Sequence, residues 1–464
     1  MIVFEERLTN FYRYPRICYF QDKIENNSDL MSYLQTPHPG VKQTYIYIHI
    51  PFCTSMCNYC PFYHTFYGHT NEEAIGEFVD AIILELKKYA RQPFFSTTSV
   101  VNINFGGGTP LVLETHHLVR ILSTVFDEFR VDPDPVVSIE GDPRALQNKE
   151  KLKELKQLGL TRASFGLQTF NEKLRKQLMV ESDVIDVYKC VDTLASAGIT
   201  EWGADMLYNC PNQNVTEIQF NIDRLCELGP SIVDAYDLNI SPNTKLAHLV
   251  VNDFFSSKPS NRNEIEHFRA MKERFEDHGY VQNRSVNFKP QGVVTNPKGI
   301  LHQFSEDVLA IGPSARTFLY SAGRNYRNHC STAKYIEDLQ ADRFPVEAGN
   351  IVPPHVLEER DMMLVPYYLT VPKSSINYAR FKPQIDEMVE SGYMFDDAEC
   401  VGLTELGKHW AGNIQFHFHS AEEKEAIATS TFSSIRSRVN LFNQDTVNVS
   451  KHRRSTMRVG ATTE

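Results

Sequence analysis

Long apolar runs are missing from this 464-residue chain: no stretch of roughly 18 uncharged apolar residues occurs, which excludes a spanning helix on pattern. A secretory leader is not indicated either, because Glu5, Glu6, Arg7 and Arg13 stand where such a segment would be apolar. The expectation is a soluble, cytoplasmic protein with no membrane partner. Positive charge is short as well, with 47 Lys and Arg against 58 Asp and Glu and a formal net charge of −11, which argues against a nucleic-acid substrate. Cysteines number nine, an odd total with one tight group, so they do not read as an oxidised disulfide scaffold.

That group is the most informative feature present. Cys53, Cys57 and Cys60 form C-x3-C-x2-C directly after the short apolar segment Tyr47-Ile48-His49-Ile50-Pro51-Phe52. Thiolates are the soft ligands that iron–sulfur clusters take, and three on one loop leave one iron of a four-iron cluster open to another ligand. A structural zinc loop is the competing reading, and it would need a fourth ligand such as His64 or His69.

Four further runs follow in order. Phe105-Gly106-Gly107-Gly108-Thr109-Pro110 closes an apolar segment, and glycines there let backbone approach a ligand closely. Ser138-Ile139-Glu140-Gly141-Asp142-Pro143, Ser164-Phe165-Gly166-Leu167-Gln168-Thr169-Phe170 and Gly203-Ala204-Asp205-Met206-Leu207-Tyr208 place polar groups at strand ends, where α/β folds build their sites. Singly, each is an ordinary turn or helix cap.

Together with the cysteine loop, these runs resemble the radical S-adenosylmethionine (SAM) superfamily, in the branch named for oxygen-independent coproporphyrinogen oxidase. The resemblance covers about residues 45 to 420. It implies a [4Fe-4S] cluster on Cys53, Cys57 and Cys60 and SAM as cosubstrate. It implies SAM contacts from the Gly106, Gly107, Gly108 and Thr109 turn, from Glu140, Gln168 and Asp205, and packing by Tyr47 and Phe62 near the bound ligand. Asn239, in Tyr236-Asp237-Leu238-Asn239-Ile240-Ser241-Pro242, is implied at the edge of a cavity for a second SAM; the bland reading of that run is a strand and an Asx/Pro turn. The family's arginine twelve residues after the glutamine is missing, since Val180 stands there. Either Arg175 or Lys176 substitutes from the previous turn, or the pocket is built differently.

Strand and helix signals alternate from residue 45: strands at 45–50, 100–105, 136–140, 162–166, 202–207 and 232–238, with helices at 71–91, 112–129, 147–158, 171–196 and 215–229 between and after them. The spacing suits a parallel sheet covered by helices. A doubly wound sheet would give the same periodicity, and the resemblance selects a partial (β/α)6 TIM-like barrel with a C-terminal α+β, winged-helix-like accessory domain. The expected division is an N-terminal wrap over 1–44, the barrel over 45–250, the substrate-covering domain over 251–425 and a flexible tail over 426–464.

For the reaction, the resemblance implies one SAM as radical source and a second as carbon donor, with methylation or cyclopropanation of an sp2 carbon in a small-molecule or peptide natural product. The runs Cys60-Pro61-Phe62-Tyr63 and Trp410-Ala411-Gly412-Asn413-Ile414 also resemble an anaerobic haem-opening methyltransferase that forms a linear tetrapyrrole. Coproporphyrinogen dehydrogenation and a haem-binding chaperone are the remaining alternatives. A one-electron reductant such as flavodoxin or ferredoxin is implied in each enzymatic case. Arg316, Arg324, Tyr326, Arg327 and His329 are candidate contacts to an acidic substrate, against the plain reading of a solvated loop.

Overall fold

The computed structural model describes residues 2–4, 28–38, 42–62, 65–238, 240–241, 244–252, 254–255, 261–293, 307–421 and 423–424. Six parallel strands alternate with helices. They are β1 (Lys42–Ile50), β2 (Thr98–Gly107), β3 (Val131–Gly141), β4 (Leu160–Gln168), β5 (Glu201–Tyr208) and β6 (Ile232–Asp237). The helices are α1 (Glu72–Ala90), α2 (Thr115–Glu128), α3 (Lys149–Gln157), α4 (Glu172–Leu178), α5 (Val184–Ala197) and α6 (Val215–Leu228). This is the expected (β/α)6 order in an α/β fold.

The sheet continues at both ends. Beyond β6 come β7 (Tyr280–Gln282) and β8 (Asn287–Pro290), and on the far side of β1 come β9 (Asp307–Ile311), β10 (Arg316–Leu319), β11 (Arg324–Asn328) and β12 (Val346–Ile351). The spatial order is β12-β11-β10-β9-β1-β2-β3-β4-β5-β6-β8-β7, with β9 parallel to β1 and the other added strands antiparallel to their neighbours. A separate three-stranded antiparallel sheet (Thr370–Pro372, Met394–Asp396, Cys400–Leu403) packs with helix Tyr378–Glu390 around Phe381, Ile385, Met388 and Val401.

Side-chain alternation decides which face holds the site. On β1, Ile46, Ile48 and Ile50 turn toward the helices and join the main core with Ile75, Phe78, Val79 and Ile82 of α1. The other face is polar: Tyr47, Asn104, Ser138 and Arg162 lie side by side across β1 to β4. A second row sets Gly166, Asp205, Asp234 and Asn287 abreast across β4, β5, β6 and β8.

The single helix expected over 171–196 is two helices. Met179 takes the left-handed region at φ 57°, ending α4, and a reciprocal Asp183–Asp186 capping box starts α5. The apolar spacing runs on through Leu174, Leu178, Val187 and Leu194, so pattern alone merges them. No helix among the described residues is long and apolar enough to cross a membrane.

Candidate active site

The cysteine loop leaves β1 through a two-residue strand, Phe52–Cys53, paired with Thr65–Phe66. The glycine-rich turn after β2 binds it: Gly108 N donates to Ile50 O at 2.8 Å and Thr109 N to Phe52 O at 2.7 Å. The Thr109 hydroxyl faces Cys53 Sγ at 4.0 Å. The far end is held by Asn58, whose backbone N donates to Leu178 O at 3.1 Å and whose Nδ2 donates to Gln177 O. A Cβ at Gly108 would lie 2.5 Å from Phe52 O and 2.9 Å from Cys53 Sγ, so this close approach requires glycine.

Burial pushes the Cys53 and Cys57 thiols up to about 11 and raises Cys60 as well. Thiols so placed stay protonated until a metal supplies the compensating positive charge. Three soft thiolates on one loop are a donor set that suits an iron–sulfur cluster. His64 and the His69 side chain, the candidate fourth zinc ligands, lie outside the described residues.

The lumen begins beside this loop. Gly107, at φ 111°, donates its amide to the buried Glu140 carboxylate. Burial, together with the nearby Asp234 charge, pushes Glu140 up to about 7 despite that bond. Tyr47 packs against Gly106 from the neighbouring strand, where a Cβ would come within 2.8 Å of both its ring and Glu140 Oε1, and its hydroxyl lies 3.2 Å from His49 Nδ1. Asp205 and Asp234 are direct neighbours in register, both raised by burial, Asp234 to about 6, with Arg162 opposing the shift in each. Two buried oxygens, Asn104 Oδ1 and Asp234 Oδ1, have no hydrogen-bond partner. A lumen so rich in acceptors fits a ligand that brings ammonium and hydroxyl donors, as SAM does.

Gln168 sits at the end of β4 with φ 67°, its amide folded back within 2.5 Å of where Gly166 would carry a Cβ. Arg175 fixes this turn. Its Nη1 donates to Leu167 O and Thr169 O, and its Nε and Nη2 donate to Ser182 O and Oγ at 2.6 to 2.9 Å. All five guanidinium N–H groups are thereby used, which removes Arg175 as the replacement for the arginine missing at Val180. Lys176 is exposed. Phe62 lies on the surface at 59% exposure, and Asn239 lies outside the described residues.

The run 324–329 corrects an expectation. Expected as contacts to an acidic substrate, its residues 324–328 are β11 with His329 just beyond, and the side chains bond within the fold: Arg324 Nε donates to Leu30 O, Tyr326 bonds Tyr33 across their hydroxyls at 2.9 Å, Arg327 pairs with Glu347 at 2.8 Å and His329 with Asp338 at 2.9 Å. The lumen residues that sequence reasoning missed are Asn104, Ser138, Arg162, Asp234 and Arg284. Four of them carried a readable signal, being polar residues at alternate positions of otherwise apolar strands. Arg284 did not: it sits in the β7–β8 turn, with its guanidinium 5.2 Å from the Tyr367 ring and bonded to that tyrosine's hydroxyl at 3.2 Å.

Residues 47–225 match the family model described as Radical SAM superfamily. The chain is 27% identical over 391 residues to anaerobilin synthase of Escherichia coli O157:H7, covering 82% of this chain and 84% of that one. It is 25% identical over 313 residues to the oxygen-independent coproporphyrinogen III oxidase of Salmonella typhimurium, covering 65% and 66%. The solved coproporphyrinogen III oxidase of Escherichia coli superposes with a TM-score of 0.75 at 20% identity, covering 88% of this chain and 96% of that one, and so shares the fold.

Proposed function

From the premise that the chain carries a radical SAM domain of the oxygen-independent coproporphyrinogen oxidase-like branch, we propose an enzyme that transfers carbon from SAM to an sp2 carbon of a tetrapyrrole and opens the macrocycle. Its cofactors are a [4Fe-4S] cluster and SAM. Held by Cys53, Cys57 and Cys60, the cluster would supply the electron for reductive cleavage of one SAM; a second SAM serves as carbon donor in this proposal.

In this reading Cys53, Cys57 and Cys60 hold the cluster, and the Gly106–Thr109 turn offers backbone to the methionyl end of SAM. Glu140 accepts from its ammonium, while Gln168 and Asp205 hold its adenosyl part. Arg175 keeps Gln168 in its left-handed conformation, so its contribution is orientation. The protein's role is to position the reactants along the polar inner face of the sheet.

The observation that carries the proposal is the match to anaerobilin synthase across 82% of the chain. Tetrapyrrole-related relatives favour a tetrapyrrole acceptor over the natural-product methylation or cyclopropanation that the motifs alone suggested. Cytoplasmic location and a flavodoxin- or ferredoxin-type donor belong to the same proposal.

The test is anaerobic reconstitution and reduction with excess SAM, with and without haem, quantifying 5'-deoxyadenosine and S-adenosylhomocysteine together. Both products rising only with haem is the expected result. Deoxyadenosine alone would return the protein to single-SAM oxidation. Neither product, with haem retained, would favour a haem carrier.

A further inference from the structure

We propose that Asp234, sharing a proton with Asp205, is the proton-transfer group of this lumen, exchanging protons with the carbon atoms of a bound conjugated acceptor. The inference rests on the carbon-transfer reading above and supplies a role that reading leaves empty.

The geometry sets the pair apart. Asp234 and Asp205 are opposed in register on β6 and β5, both facing the lumen. Asp234 Oδ1 is buried without a hydrogen-bond partner, although the residue lies beside Asn287 of β8. Two carboxylates at facing register positions of adjacent strands resist double ionisation, and in this proposal the pair carries one proton. The charged and titratable groups around them are Glu140 from β3, Arg162 from β4 and Arg284 from the β7–β8 turn. Tyr236 on β6 feels the charge of both and Tyr59 of the cysteine loop that of Asp205, and Tyr236 is 37% exposed, so the pair adjoins open space. Arg162 keeps one negative charge tolerable, and Glu140 opposes a second.

The chemistry needs such a group. Replacing hydrogen by methyl on an sp2 carbon forms one C–C bond and breaks the sulfonium C–S bond, releasing the thioether. One electron enters from a one-electron carrier. One hydrogen of the donor methyl passes to the deoxyadenosyl group of the first SAM as 5'-deoxyadenosine, so the carbon arrives as CH2; the ring hydrogen leaves as a proton and the transferred carbon takes one proton back. Reductive opening of a ring C–C bond then consumes two further electrons, delivered singly by the same one-electron carrier, and two protons. A half-protonated carboxyl pair accepts and returns protons without a change of site.

The test compares wild type with Asp234→Asn in the full chain, with folding checked by circular dichroism and iron content. With reconstituted cluster, SAM, reductant and haem in deuterated buffer, the ratio of acceptor product to deoxyadenosine should fall about 10²-fold in the variant, and Asp234→Glu should recover part of it. The infrared spectrum of wild type minus that of Asp234→Asn, both taken before reconstitution, should contain a protonated-carboxyl band at neutral pH, the bands of Glu85 and Glu140 cancelling in the difference. An unchanged ratio of product to deoxyadenosine, or no protonated-carboxyl band in that difference, overturns the proposal. If wild type itself makes no carbon-transfer product, the parent reading falls and this one with it; failure of this proposal alone shows instead a productive wild type matched by a productive variant.

Discussion

Glu85 and Asp234 are both acids taken out of water by the same sheet, one outside it and one within, and they are treated in opposite ways. Glu85, on α1, receives Gly312 N and Asn328 Nδ2 at 2.8 Å each and the Tyr335 hydroxyl at 2.5 Å. Burial still pushes it up to about 7. Asp234 is pushed up to about 6, yet its Oδ1 has no partner. A saturated acid of this kind ties α1 to the β9–β10 turn and to Asn328 of β11. A bare one in a lumen is kept for something that arrives.

The largest expected effect is on the saturated member. Glu85→Ala strands three buried donors and should lower unfolding free energy by about 3 kcal/mol in urea denaturation, while the folded fraction keeps its deoxyadenosine yield per iron. Arg175→Lys cannot reproduce five donors and should cost roughly 2 kcal/mol, with the Michaelis constant for SAM rising because Gln168 loses its clamp. Asp234→Asn should go the other way and raise stability at pH 7 by on the order of 1–2 kcal/mol, because a buried charge is removed.

The pH dependence follows with its sign. Glu85, Glu140 and Asp234 all have raised values in the fold. The folded state therefore holds more protons than the unfolded chain between the ordinary carboxylate range and about 7. Their contribution is complete below that window and is lost as pH rises through it, at about 1.4 kcal/mol per pH unit for each group in its own interval. Denaturant midpoints measured across the window check this, and Asp234→Asn should lower the slope below about 6 by the share of one group, leaving that of Glu85 and Glu140. The smallest effect belongs to β11: Arg327→Ala breaks a half-exposed pair with Glu347 and should change stability by less than about 1 kcal/mol and leave product formation alone, as assay of the purified variant would show.

Much of the fold was legible in the sequence. The six strands and their helices follow from apolar periodicity, and the cysteine spacing with the three glycines marks one end of the lumen. Helix 171–196 was misread because Met179 adopts a left-handed turn with no glycine to announce it. The role of Arg175 was not legible, since it depends on where the carbonyls of Leu167, Thr169 and Ser182 point after folding. Arg324 to His329 looked like a ligand cluster because composition does not reveal that Leu30, Tyr33, Glu347 and Asp338 meet them. Asp234 was readable in principle: a lone acid inside Ile232-Val233-Asp234-Ala235 of a parallel strand marks a polar inner face.

The most direct test of the central claim is the paired yield of 5'-deoxyadenosine and S-adenosylhomocysteine from the reconstituted, reduced protein with haem. Carbon transfer to a tetrapyrrole predicts that both rise together and only when haem is present. Deoxyadenosine that accumulates with no S-adenosylhomocysteine would contradict it.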